Sequence, residues 1–342
     1  MAERHRSRRR ELVESIAQGA ILLSGQGQVL AINDAARTLL AISPDARTRT
    51  AADVLTHHDL ARVVDEVRAR ERASTLEFDH DGARLRANVS MLRDEVLLLI
   101  TDRTEEHRVE ELRRDFVVNA SHELKTPVTS IQALAEALSV VCHEQPDRVP
   151  GLVGQLSDEA ERLAALVHDL LDLRRLEERG PLELASVDLA ELVRRVVANQ
   201  INRAEELDLD LVVDVPAEVV VTGVVGDLEV VVRNLVRNAL TYNRPGGAVE
   251  VRLRILDDED SVELVVADTG VGIDASDLPR IFERFYRVDP ARSRETGGTG
   301  LGLSIVRHAV ENLGGSVEVD SRLGQWTEFT VRLPGGQPDP TR

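Results

Sequence analysis

Between Val109 and Cys142 an apolar residue returns every three or four positions: Val109, Leu112, Phe116, Ala120, Leu124, Val128, Ile131, Ala135, Leu138 and Cys142. That spacing predicts one long helix with a single buried seam. The stretch His143-Glu-Gln-Pro-Asp-Arg-Val-Pro150 carries two prolines that break it, and a second stripe follows at Leu152, Leu156, Ala160, Leu163, Val167 and Leu170. Two such helices joined by a short turn form an antiparallel hairpin whose apolar stripe has nothing to cover it. A twofold axis that doubles the hairpin into a four-helix bundle supplies the cover, so the chain is expected to form a homodimer.

At about 100° per residue, His122 lies midway between Ala120 and Leu124 and so points away from the seam, toward solvent. The adjacent Glu123 offers a carboxylate that fixes the imidazole tautomer and leaves the other ring nitrogen free to attack an electrophile. Pro127 has no N–H, which leaves the Glu123 carbonyl without its helical partner and bends the helix just past the histidine. An isolated His-Glu pair on a helix surface is usually a solvated pair and nothing more. Here it sits inside Phe116-Val-Val-Asn-Ala-Ser-His-Glu-Leu-Lys-Thr-Pro127.

That stretch resembles the phosphoacceptor box of the sensor histidine kinases of two-component systems, in the class where the histidine lies on a dimerisation helix. The resemblance implies that His122 accepts a phosphoryl group with Glu123 as its orienting or deprotonating carboxylate. It also makes Glu123-Leu-Lys-Thr126 similar to the family's phosphatase motif, in which the Thr126 hydroxyl orients a water. The alternative for Thr126 is a hydroxyl that merely precedes a helix-bending proline.

A chain of 342 residues exceeds what one core usually organises, so two or three domains are expected. The formal net charge of −18 argues against nucleic acid as a partner, because phosphate contacts need a basic face. The single cysteine, Cys142, forms no intrachain disulfide, and its place on the helical seam marks it as a small core hydrophobe in a reducing cytoplasm. Lys125 is the one lysine in an arginine-rich chain, a bias that reads as base composition. No run approaches the ~18 apolar residues of a membrane span. Arg4, Arg6, Arg8, Arg9 and Arg10 form a basic cluster, either a solvated helix end or the inner flank of membrane segments that precede this chain. The localisation expected is cytoplasmic, or the cytoplasmic part of an inner-membrane protein.

From Glu11 to Thr101 short strands enclose a small helical part. Ala20-Ile-Leu-Leu and Gln28-Val-Leu-Ala-Ile flank Ser24-Gly-Gln-Gly, a hairpin signal with glycines where φ > 0 is needed. Leu85, Ala87, Val89 and Met91 alternate as a half-buried strand, and Glu95-Val-Leu-Leu-Leu-Ile-Thr follows as another. With Asn33-Asp34-Ala35-Ala36 after the second strand and Thr101-Asp102-Arg103-Thr104 at its exit, this part resembles a PAS sensor domain. His57, His58 and His80 read as solvated loop histidines rather than haem ligands, and no cysteine is placed to react with a flavin.

Beyond the bundle, Asp188-Leu-Ala-Glu191 reads as a capping box that opens a helix, and strands are expected at 207–215, 219–222, 249–256 and 262–268. The helix from Asp227 to Tyr242 carries Asn234 and Asn238 one turn apart, and a carboxamide oxygen suits Mg²⁺ that also holds triphosphate oxygens. Asp268-Thr-Gly-Val-Gly-Ile273 follows a strand, so Asp268 can accept the exocyclic amine of adenine while Gly270 and Gly272 admit the base. Gly297-Gly-Thr-Gly-Leu-Gly-Leu303 runs into an apolar helix and exposes N–H groups to phosphate, without the Gly-Lys-Ser/Thr of a Walker loop. Ile281-Phe-Glu-Arg-Phe-Tyr-Arg287 lies between, with Phe282 and Phe285 packing a lid and Arg287 within reach of the γ-phosphate.

In this order the motifs resemble the Bergerat-type ATP-binding domain of histidine kinases, an α/β sandwich shared with gyrase, Hsp90 and MutL, and the resemblance spans 108–334. It implies ATP and Mg²⁺ as cofactors, Asn238 as the main metal ligand, and a nucleotide set of Asn234, Asn238, Tyr242, Asp268, Gly270, Gly272, Gly298, Thr299, Gly300, Leu301 and Gly302. Thr241 stands where the family usually has lysine, which removes one phosphate contact unless another arginine such as Arg244 fills the role. Trp326 replaces a glycine of the last hairpin.

The expected architecture is multidomain α+β: a basic segment at 1–10, a PAS-like α/β sensor at 11–101, signalling and dimerisation helices at 102–180, an α/β sandwich at 186–334, and a disordered tail at 335–342. The expected function is a kinase that phosphorylates His122 from Mg-ATP and passes the phosphoryl group to an aspartate of a response regulator, with phosphatase activity toward that regulator. An ATPase or serine kinase of the same ATP-binding fold is the alternative. The stimulus is not legible.

Overall fold

A computed structural model describes residues 9–42, 50–178, 183–256, 261–289 and 298–335. Arg4, Arg6, Arg8, Gly297 and the tail from 336 lie outside the described residues. The chain divides into two compact units, Met1–Val117 and Val118–Arg342. The division falls within the helix Thr104–Glu144.

The first unit holds the strands β1 (Gly19–Ser24), β2 (Val29–Ile32), β3 (Ser74–His80), β4 (Ala83–Leu92) and β5 (Glu95–Asp102) in one antiparallel sheet of order β2-β1-β5-β4-β3. Helices α1 (Asp34–Leu39), α2 (Ala51–Val54) and α3 (His58–Arg70) lie between β2 and β3 in the chain. The hairpin turn places Gly27 at φ 79°, as a left-handed position demands. β1 is buried along nearly its whole length because both faces are covered. Ile21 and Leu23 join Leu85, Ala87, Val89, Leu98, Ile100 and the Val63, Val64 and Val67 stripe of α3, while Ala20 and Leu22 pack with Val13, Ala31, Leu97 and Leu99. The buried Asn33 side chain accepts from the Ala20 and Ala36 N–H groups and donates to the Ile16 and Gln18 carbonyls, which caps α1 and fixes it to β1. His57 is not simply solvated: its ring lies tilted against Phe78 with centroids 4.6 Å apart, while His58 opens α3 and His80 ends β3.

Helix α4 (Thr104–Glu144) carries His122 and contains Pro127. A short 3₁₀ turn at Pro146–Arg148 leads into α5 (Val149–Glu177). The stripe of α5 buried within one chain is Leu166, Asp169, Leu173 and Leu176, not the expected Leu152–Leu170 series, of which Val167 is 41 % exposed. On α4, Val109, Val128 and Val140 are exposed, and Cys142 is an exposed free thiol whose Sγ lies 3.0 Å from His143 Nδ1. The expectation of a buried Cys142 therefore fails for the single chain, because its seam is the one that the hairpin cannot cover by itself.

The remainder of the second unit is an α/β sandwich. Strands β7 (Asp210–Asp214), β9 (Ala248–Leu256), β10 (Ser261–Asp268), β11 (Ser316–Arg322) and β12 (Trp326–Pro334) form a sheet of order β11-β12-β10-β9-β7, antiparallel except for β7 with β9. A two-stranded ladder joins β6 (Ala185–Asp188) to β8 (Val220–Gly223). Three helices cover the sheet: α6 (Leu189–Ala198), α8 (Val225–Thr241) and α9 (Gly302–Asn312), with the small α7 (Ile201–Glu206) after α6. Asp188 caps α6 by accepting from the Ala190 and Glu191 N–H groups. Leu228, Val231, Leu235 and Val236 of α8 and Ile305, Val306 and Val310 of α9 are fully buried, each worth about 1.5–3 kcal/mol relative to exposure. Among the described residues no helix is long and apolar enough to cross a membrane.

Candidate active site

α8, the end of β10, the loop after it and the start of α9 enclose a cleft of about 280 Å³. The fold forces this convergence: β10 ends in the middle of the sheet at Asp268, and α8 and α9 pack side by side over it. Asn234, Asn238 and Tyr242 line the cleft from α8, Asp268 and Gly272 from β10 and its loop, and Gly298, Thr299, Gly300 and Gly302 from the turn into α9. Arg287 lines it as well.

Two expected members stand one layer back. Gly270 is absent from the wall, and a Cβ there would run into the Tyr242 carbonyl and the Asp268 carboxylate. Leu301 is fully buried in the core, and its N–H donates to Thr299 Oγ1 at 3.2 Å. Gly272 lines the cleft, and at φ 66° a Cβ there would run into the Arg322 carbonyl. Gly300, at φ 72°, is crossed by the backbone of Phe285, whose N–H donates to the Gly300 carbonyl at 2.8 Å. Phe282 packs edge-on against the core residue Phe329.

Asp268 is 5 % exposed, and burial pushes its carboxyl up to about 6, opposed by the Gly270 N–H that donates to it at 2.9 Å. The carboxamide of Asn238 has no hydrogen-bond partner among the described residues, which leaves its oxygen available to a ligand in the cleft. Asn234 is committed: its Nδ2 donates to the Val230 carbonyl and its Oδ1 accepts from Arg237 Nη2 at 2.8 Å. Arg244 does not fill the place of the absent lysine at 241. Its Nη2 donates to the Gly270 and Gly324 carbonyls, both at 2.6 Å, stapling the loop after β10 to the β11–β12 turn.

His122 is exposed on α4 and lies outside the cleft wall. Glu123 pairs with Arg287 Nη2 at 2.7 Å. Arg287 is 10 % exposed, and its Nε is buried without a partner among the described residues. Thr126 Oγ1 donates to the His122 carbonyl at 3.2 Å, which leaves the hydroxyl oxygen free to accept.

Three residues outside the expected set complete the wall chemistry. Thr241 and Arg237 line the cleft beside Asn238, and Asp169 of α5, 1 % exposed, reaches Thr299 Oγ1 at 2.6 Å and Arg237 Nη2 at 3.1 Å. The signal for Asp169 is its place in the three-four register of Leu166, Leu173 and Leu176, where a charge is anomalous unless it has a partner.

Residues 223–337 match a family model described as histidine kinase-, DNA gyrase B- and HSP90-like ATPase, and residues 112–179 match the His Kinase A (phospho-acceptor) domain. The sensor-like histidine kinase SenX3 of Mycolicibacterium smegmatis is 40% identical over 265 residues, covering 76% of this chain and 68% of that protein. The sensor histidine kinase WalK of Bacillus subtilis is 29% identical over 345 residues, covering 98% of this chain and 56% of that one. The crystal structure of the histidine kinase ThkA in complex with the response regulator TrrA superposes with a TM-score of 0.52 over 95% of this chain and 98% of that one, and at 19% identity it speaks for the fold alone.

Proposed function

The chain belongs to the sensor histidine kinases, ATP-dependent protein-histidine kinases, and on that premise we propose that it transfers the γ-phosphoryl group of ATP to a ring nitrogen of His122 and then to an aspartate of a response regulator. The observation that carries this reading is the one cleft formed by Asn238, Asp268 and the Gly298–Gly302 turn, whose rim residue Arg287 is bonded to the neighbour of His122.

Asp268 accepts the adenine amine, and the turn into α9 presents N–H groups to the phosphates. In the transfer, a His122 nitrogen forms the N–P bond as the bond from Pγ to the bridging oxygen breaks, ADP departs, and the imidazole proton passes to a base. Glu123 is the carboxylate in position to orient the ring or take that proton once Arg287 turns to the γ-phosphate. The partner exchange of Arg287, from carboxylate to phosphate, couples nucleotide arrival to release of Glu123.

The donors fit Mg²⁺ held mainly by the nucleotide. Among the described residues no cluster of three His, Cys, Asp or Glu side chains gathers to hold a metal, whereas the unpartnered Asn238 oxygen offers the single neutral ligand that a phosphate-bound, largely hydrated Mg²⁺ takes from protein. A metal held there by Asn238 would neutralise charge on the phosphate oxygens.

The exposed Val128 and Cys142 of the α4 seam and Val167 of the α5 stripe support a homodimer closed by a second hairpin. The five-stranded sheet and its helices before α4 are proposed as a PAS-like sensor. Thr126, with a free acceptor lone pair one turn past His122, is proposed to hold the water that hydrolyses the regulator's aspartyl phosphate. Incubation with Mg-ATP should give an acid-labile, base-stable phosphoprotein. Acid-stable phosphate, or ATP hydrolysis with no phosphoprotein, would favour a serine kinase or an ATPase of the same fold.

A further inference from the structure

Asp169 is a fully buried carboxylate on α5 in a stripe otherwise made of leucines. Its partners all belong to the wall of the nucleotide cleft. Oδ2 accepts from the Thr299 hydroxyl at 2.6 Å and from Arg237 Nη2 at 3.1 Å, and Oδ1 lies 3.3 Å from the same nitrogen. Arg237 Nη2 also donates to Asn234 Oδ1 at 2.8 Å. A Cβ built at Gly302, the first residue of α9, would sit 3.3 Å from that Nη2 and 2.9 Å from Asn234 Oδ1, so the guanidinium lies against the start of the helix.

An anion is thus already held where the turn into α9, a hydroxyl and a guanidinium converge. Among the described residues lining the cleft, the cations are Arg237 and Arg287. Arg287 is held at the rim by Glu123, and Thr241, one turn past Arg237 on the same helix face, is neutral. A triphosphate in this cleft needs cationic contacts, and Arg237 is the one on the α8 side.

We infer that Arg237 is a phosphate-binding residue of this chain and that Asp169 is an internal anion that occupies Arg237 and Thr299 until nucleotide displaces it. The inference rests on the cleft being an ATP site and adds a competitor to it. Because Asp169 belongs to α5 and its partners to α8 and the turn before α9, the displacement also removes one polar contact between α5 and the nucleotide-binding region. The latch thereby sets one α5 contact in competition with cleft occupancy, while Asp172–Arg233, Glu177–Arg284 and the buried Leu173 and Leu176 keep α5 in place.

Calorimetric titration of the full chain with a non-hydrolysable ATP analogue, and with adenosine as a ligand that lacks phosphate, tests the inference. Arg237→Ala should weaken the analogue about tenfold, the loss of one charge-assisted contact, and leave adenosine affinity within about twofold. Adenosine binding also reports that the variant is folded, and Arg237→Lys should recover part of the loss. Asp169→Asn, which keeps shape but removes the competing charge, should tighten the analogue severalfold, and that gain should vanish in the Asp169→Asn, Arg237→Ala double variant. Unchanged analogue affinity in Arg237→Ala, or a loss in Asp169→Asn as large as in Arg237→Ala, overturns the inference. A wild-type chain that binds neither analogue nor adenosine would instead overturn the nucleotide reading itself.

Discussion

Lowering the pH through 6 acts on the proposed base-binding carboxylate. Asp268 is 5 % exposed, and burial raises its carboxyl to about 6. Its anion is the form that accepts the adenine amine, and one unit below its pKa about one-tenth of the sites carry it, so adenosine affinity should fall about tenfold between neutral pH and about pH 5. Adenosine is the ligand of choice because it has no phosphate that titrates in this range. Stability has the opposite sign. The folded pKa lies above the ordinary value of 3.8, so the native state holds the proton more tightly, and this carboxyl's contribution is largest below about pH 4 and is lost as pH rises through 6. The charged form destabilises the unligated protein by about 3 kcal/mol at neutral pH. Asp268→Asn should therefore stabilise the unligated chain by about 1–3 kcal/mol near neutrality and far less near pH 4, while weakening adenosine and flattening its pH dependence. Urea denaturation and calorimetry at both pH values read the two effects. A pH-independent adenosine affinity in the wild type, or a stability difference between wild type and variant that ignores pH, would refute the reasoning.

Thr241→Lys places a cation one turn past Arg237 and should tighten an ATP analogue by about 0.5–2 kcal/mol; no gain in calorimetry would mean that the arginines present already saturate the phosphates. Arg244→Ala leaves the Gly270 and Gly324 carbonyls without their shared donor and should destabilise the protein by about 1–2 kcal/mol in urea titrations, with weaker adenosine binding. Thr126→Ala should keep autophosphorylation and phosphotransfer near wild type and lose dephosphorylation of the regulator in a phosphate-release assay. Equal loss of all three activities would assign Thr126 to the shape of the helix.

Much of the second unit could be read locally. The period of the seam placed His122 on the exposed side, β9 and β10 begin within a residue of the expected starts, and Asn238, Asp268, Gly272 and the Gly298–Gly302 turn meet in one cleft although they come from separate elements. These features depend on helix and strand periodicity and on short motifs whose chemistry is contained in a few consecutive residues. What escaped is pairing at a distance. Glu123 meets Arg287 across 164 positions and Asp169 meets Arg237 across 68, and neither partner carries a local mark of the other. The second stripe of α5 was hidden for a related reason. Two apolar stripes run along one helix, and only docking against α8 and α9 decides which is buried within the chain and which, like Cys142 on α4, the chain leaves uncovered.

His122 is the side chain on which the phosphoryl transfer turns. The purified chain should be incubated with Mg-ATP labelled at the γ-phosphorus, beside His122→Gln, which keeps a polar side chain on an exposed helix position and so spares the fold. Acid-labile label is expected on the wild type and none on the variant, with ATP-analogue affinity unchanged between them. Acid-labile label on His122→Gln would contradict it.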